Sequence, residues 1–204
     1  MKGTVTALPK YKIIALCGEA GSGKDFLLHN ALEWNPHTFH KIVSYTTRPK
    51  REKEIDGVDY HFISNSQFTD KFLNGELIEA ASFNGWMYGT GFENLRINEF
   101  NIGVFSPAAL SALHGEPGVE LLIFYVSATP KERLLRQLKR EENPDIEEII
   151  RRYQTDKRDF DEFQELFQGQ YITLKNNKKS DVFDCLNQIQ EKILTLWPLE
   201  DKIN

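Results

Sequence analysis

Apolar residues along this chain come in short unbroken runs, separated by polar stretches that carry most of the glycines. Residues 13–17, 39–43, 102–105, 121–126 and 171–174 read as strands, and their continuity suits strands buried on both faces. Lys24 to about residue 34 reads as a helix that Asn35-Pro36 ends. Thr129-Pro130-Lys131-Glu132 offers a cap, a proline for the first helical position and a capping-box glutamate, so a helix is expected there. Residues 141–161 are dense in charge and predict helix interrupted near Asn143-Pro144. Val182, Leu186, Ile189, Ile193 and Leu196 recur at helical spacing and predict a last helix packed on the core. Alternating strands and helices give an α/β chain, an open and mostly parallel sheet with helices on both faces. Residues 44–96 break the pattern. They are rich in Arg, Tyr, Gly and Thr, with strand-like pieces at 60–63 and 78–83 and helical periodicity only at 66–73.

Composition narrows the class of ligand. A chain of 204 residues with 40% hydrophobic and 27% charged residues is an ordinary globular domain with room for insertions. The net charge of −5 argues against a nucleic-acid polymer as partner. Lys and Arg gather near 48–53 and 131–158, which suits a small anionic ligand. Cys17 and Cys185 fall on apolar or helical segments and read as core residues, with neither a disulfide framework nor a zinc pattern. No run approaches 18 apolar residues, so no membrane partner and a reducing, cytoplasmic location are expected.

The chemistry begins where the first strand ends. Residues 13–28, IIALCGEAGSGKDFLL, run from strand through a glycine loop into a helix, and Gly18, Gly23 and Lys24 satisfy G-x-x-x-x-G-K. Such a P-loop turns its backbone N–H groups inward as a nest for phosphate oxygens, and the helix dipole and the lysine add positive charge. Gly18, Glu19, Ala20, Gly21, Ser22, Gly23, Lys24 and Asp25 are therefore the expected ATP-phosphate contacts. The position after the lysine, where the motif wants Ser or Thr for the metal, holds Asp25.

A second constellation follows in order: Ser44, Thr46, Thr47, Arg48 and Arg51; Asp56, Gly57, Asp59, Tyr60 and Phe62; Gly75, Ile78 and Glu79; Tyr88, Gly89 and Thr90. These residues match S-x-T-T-R-x-x-R, D-G-x-D-Y-x-F, G-x-x-I-E and Y-G-T, and with the P-loop upstream the chain resembles the guanylate kinases over about residues 12–191. The resemblance implies a P-loop core at 1–43, 98–130 and 161–204, a GMP-binding segment at 44–97 and a lid at 131–160. It implies that Arg48, Arg51, Tyr60 and Tyr88 hold the acceptor phosphate. Glu79 would take the guanine N1 and N2 donors, with Ser44 and Thr90 beside the base. Arg140 and Arg151 (Arg152 being the competing register) would reach the ATP phosphates together with catalytic Lys24. Arg136 is a further candidate, and Asn176 would lie near the adenine.

The activity so implied is transfer of the ATP γ-phosphate to GMP or dGMP, with Mg2+ as cofactor. One departure bears on it. The strand at 102–105 lacks the family's acidic residue, and no carboxylate follows until Glu116. Asp25 is then a candidate magnesium ligand, the two changes compensating one another. The lost strand acid also leaves open a broader (deoxy)nucleoside monophosphate kinase. A non-catalytic, protein-binding module of the same family is a further alternative, against which the intact Gly18, Gly23 and Lys24 argue.

Overall fold

The computed structural model describes residues 10–52, 54–83, 85–97, 99–140 and 142–198. Residues 1–9, and Glu141 at the start of the charge-dense stretch, lie outside the described residues. In chain order the elements are β1 (Tyr11–Cys17), α1 (Lys24–Trp34), β2 (Phe39–Lys41), β3 (Tyr45–Thr46), β4 (His61–Phe62) and α2 (Asn65–Leu73). β5 (Leu77–Phe83), β6 (Trp86–Gly91), β7 (Phe100–Val104), α3 (Pro107–Leu113) and β8 (Val119–Ser127) follow. The chain closes with α4 (Pro130–Leu138), α5 (Ile146–Leu166), β9 (Tyr171–Lys175) and α6 (Asp181–Leu196).

By contacts the chain falls into two compact units, Met1–Ala15 with Asn35–Leu122 and Leu16–Trp34 with Ile123–Asn204. β1 and β8 contribute residues to both. Within the first unit the sheet order is β2-β7-β1-β8, and β2 runs parallel to β7 from Phe39↔Phe100 to Lys41↔Ile102. Within the second it is β1-β8-β9, with β8 and β9 parallel from Ile123↔Tyr171 to Ser127↔Lys175. Ile13 to Cys17 are completely buried, which is why that stretch carries no polar alternation.

The first unit also holds a four-stranded sheet of order β4-β3-β6-β5. Local chemistry delimits the helix that leads into it. Ser64 and Gln67 form a reciprocal capping box at the start of α2. At its end Gly75, at φ +68, allows a Schellman closure: Gly75 N–H donates to Phe72 O and Glu76 N–H to Lys71 O. β5 then begins at once and carries Glu79 opposite Thr90 of β6.

Three sequence expectations need correction. Glu132 does not complete a capping box: its N–H donates to Thr129 Oγ1, but the Thr129 N–H donates to Asn177 Oδ1 instead. Leu196 is about half exposed because α6 ends there, while Val182, Leu186, Ile189 and Ile193 are buried as the spacing requires. α3 was not expected, although Ser106 caps it and Pro107 occupies its first turn. Cys17 and Cys185 are fully buried free thiols, and burial raises both thiol pKa values.

Candidate functional site

In the second unit, the loop between β1 and α1 is gripped from outside its concave face. Gly21 and Gly23 have φ of +80 and +92, and a Cβ on them would run into the Arg133 backbone and the Asn176 side chain respectively. Only glycine fits so tight a wrap. Arg136 donates from Nη1 to Gly21 O (3.2 Å) and Ser22 O (3.0 Å), and from Nη2 to Asn176 O (2.8 Å) and Asn177 O (3.0 Å). Asn176 Nδ2 adds a bond to Ser22 O at 2.9 Å. Carbonyls of the loop are thus held from outside, and two of its amides are engaged as well, Ser22 N–H by Glu19 O at 3.1 Å and Ala20 N–H by Asp156. Ser22 Oγ is buried without a hydrogen-bond partner among the described residues.

Glu19 and Ala20 are held by charge. Glu19 Oε1 accepts from Arg133 Nη1 at 2.7 Å and Oε2 from the Tyr125 hydroxyl at 2.8 Å. Asp156 of α5 accepts the Ala20 N–H at 2.6 Å, while Arg133 Nε (3.2 Å) and Gln137 Nε2 (3.4 Å) donate to Ala20 O. Arg133, Gln137 and Asp156 are all buried. Burial raises the Asp156 carboxyl above its ordinary range, against the lowering pull of the Ala20 amide, Lys24 and Arg133. Lys24 Nζ lies 4.0 Å from Asp25 Oδ2, and the Asp25 side chain is 79% exposed at the first turn of α1.

The expected lid arginines have other geometry. Arg151 donates from Nε (2.6 Å) and Nη2 (2.9 Å) to Glu148, and Arg152 Nε reaches the same carboxylate at 2.6 Å. Hydrogen bonds from Arg151, then Arg152, lower the Glu148 pKa to about 2. Both registers thus share one counter-ion. Arg140 is exposed in the turn after α4.

In the first unit the four-stranded sheet gathers the other expected residues. Thr90 Oγ1 donates to Glu79 Oε1 at 2.8 Å and lies 3.1 Å from Ser44 Oγ. Glu79 is 5% exposed, and its Oε2 is buried with no partner among the described residues. Desolvation pushes its carboxyl up to about 7, against the lowering effect of the Thr90 bonds. The Tyr60 and Tyr88 rings meet edge-on at 5.9 Å, and the Arg48 guanidinium lies 5.7 Å from the Tyr60 ring centre.

Arg48 makes a two-pronged pair with Glu54, Nη1–Oε2 3.0 Å and Nη2–Oε1 2.7 Å. Glu54 also accepts the Arg51 N–H at 2.8 Å and stands 3.6 Å from Arg51 Nη1. Burial alone would raise the Glu54 pKa, but the bonds from Arg48 and the Arg51 amide lower it. Ser44, Arg48, Arg51, Tyr60, Glu79, Tyr88 and Thr90 therefore stand on or beside one sheet. Sequence reasoning missed Glu54, Arg133, Gln137, Tyr125 and Asp156. A signal existed for Asp156, since it interrupts the stripe that continues through Phe160 and Phe163 of α5.

The sequence model of the guanylate kinase family matches residues 10–193. Among similar proteins, the guanylate kinase of Thermotoga maritima is 32% identical over 146 residues, 70% of this chain and 70% of that one. That of Nostoc sp. is 42% identical over 79 residues, 39% of each chain. The matches span 39%, 22% and 64% of the Nostoc, rice and Chlamydia felis relatives, in each case less than two thirds of their length. The crystal structure of guanylate kinase from Anaplasma phagocytophilum has the same fold, with a TM-score of 0.62 at 20% identity over 96% of this chain and 91% of that one. With 184 of its 204 residues inside the family match, this chain belongs to the guanylate kinase family.

Proposed function

We propose that the protein transfers the γ-phosphate of ATP to the phosphate of GMP or dGMP. The observation that carries this reading is Glu79: a buried carboxylate with one oxygen lacking any partner. Guanine presents two adjacent N–H donors on one edge and adenine does not, so a buried carboxylate favours the first and is left unpaired by the second. Ser44 and Thr90 stand next to Glu79, while Arg48, Arg51, Tyr60 and Tyr88 supply forks and phenols for the acceptor phosphate.

In the transfer, the bond from the γ-phosphorus to the bridging oxygen breaks. A new bond forms to an oxygen of the acceptor phosphate, which is already anionic near neutral pH and needs no base. What the protein supplies is position and charge: the amides of residues 18–25 other than those of Ala20 and Ser22, which are bonded within the protein, together with Lys24 and the lid arginines Arg140 and Arg151. Asn176 is assigned to the adenine side. Magnesium, when bound with ATP, neutralises phosphate charge; Asp25, an exposed hard-oxygen donor beside Lys24, is the residue we assign to it. We assign the protein to the cytoplasm. Among the described residues no helix is long and apolar enough to cross a membrane.

The test is ATP turnover on the purified chain with a panel of GMP, dGMP, IMP, AMP, CMP and UMP. Turnover confined to GMP and dGMP is expected. Comparable rates with AMP would replace this reading by a broad monophosphate kinase, and no turnover with any acceptor would leave a binding module.

A further inference from the structure

The two peptide planes that meet at Ala20 are held by the helices that follow β8, the Ala20 N–H by Asp156 and the Ala20 C=O by Arg133 and Gln137. Its neighbour Glu19 is pinned by Arg133 and Tyr125. The same loop contains Gly18, Gly21 and Gly23, all at positive φ, so without outside contacts it has many conformations to lose on meeting an anion. A nest binds phosphate tightly only when its amides already converge, because ordering them at the moment of binding opposes affinity.

We propose that Asp156 is a positioning residue for the donor-phosphate loop, fixing the Glu19–Ala20 peptide plane so that the loop is preformed before ATP arrives. This rests on reading residues 18–25 as the ATP site. The carboxylate acts as a hydrogen-bond acceptor, not through its charge. Asp156→Asn keeps an acceptor oxygen, whereas Asp156→Ala removes it.

The experiment measures Mg·ATP binding to the full chain by calorimetry without acceptor, and the KM values for ATP and GMP separately. Asp156→Ala is expected to weaken ATP binding and raise its KM about tenfold, with the GMP KM within about twofold. Asp156→Asn should stay within about threefold of wild type on both. Amide exchange at Ala20, read by NMR in the unliganded protein, should speed up in Asp156→Ala and not in Asp156→Asn. Wild-type affinity in Asp156→Ala overturns the proposal. So does tighter binding in both variants, which would mean that the carboxylate merely repels phosphate. A wild-type protein that does not bind Mg·ATP overturns the reading of the loop itself, a different result from either. Should Asp156→Ala fail to fold, Asp156→Ser, too short to reach the amide, takes its place under the same criteria.

Discussion

The two regions to which we assign anion binding are built from different materials. Around residues 18–25 recognition is assigned to backbone amides, and side chains hold that backbone: Arg136 and Asn176 on carbonyls, Asp156 on the Ala20 N–H and Arg133 on the Ala20 C=O. Around the β4-β3-β6-β5 sheet the side chains are themselves the recognition elements, and each key one leans on a carboxylate or hydroxyl, Arg48 on Glu54 and Glu79 on Thr90. A backbone nest is indifferent to the rest of the ligand and suits a triphosphate tail. A side-chain site distinguishes one base from another. The difference predicts that substitutions in the first region act on phosphate handling for any acceptor, and those in the second on the choice of acceptor.

The largest effect tests the first half of that contrast. Lys24→Ala should lower kcat/KM on the order of 10³-fold with every accepted monophosphate, because it removes charge from the transferring group in a desolvated site. A loss confined to one acceptor would break the contrast.

Glu79→Gln tests the other half. Its amide presents a donor where guanine offers donors, so kcat/KM for GMP should fall about 10²-fold while the KM for ATP stays near wild type. Stability should move the opposite way. Glu79 titrates at about 7 in the folded chain against an ordinary 4.5, so the folded state holds the extra proton. Its contribution is most favourable below pH 4.5 and is lost as pH rises through 7, amounting to roughly 3 kcal/mol across that window. Thermal melts of the unliganded wild type should therefore lose stability from pH 4.5 to 7 relative to Glu79→Gln. Parallel curves would show that Glu79 is not buried as described.

Arg48→Lys is a smaller step. It retains the charge but not the fork that Glu54 holds, and should raise the KM for GMP on the order of tenfold without altering ATP binding. Asp25→Ser, finally, should shift the magnesium concentration for half-maximal rate by several-fold, read from a metal titration at saturating ATP. An unchanged titration removes Asp25 from metal binding and leaves it as an acid at the start of α1, favourable there by some tenths of a kcal/mol.

Much of this was written locally. The wholly apolar IIALC could only be a strand buried on both faces, and Asn35-Pro36 had to stop α1, because such patterns depend on near neighbours alone. The motif residues were equally legible, since nest and fork chemistry impose residue types at short fixed spacings. What no spacing showed was which charges would be neutralised by which. Arg136, a further candidate for the ATP phosphates, bonds four carbonyls; Asp156, within the charge-dense stretch 141–161, is buried against a loop 136 residues away in sequence. Sequence by itself determined the α/β order and marked out the glycine loop at 18–25 and the residues that gather on the β4-β3-β6-β5 sheet. Tertiary structure decided the partners of Glu54, Arg133, Asp156 and the orphaned Glu79 oxygen, because desolvation and long-range pairing depend on what the folded chain brings alongside a charge.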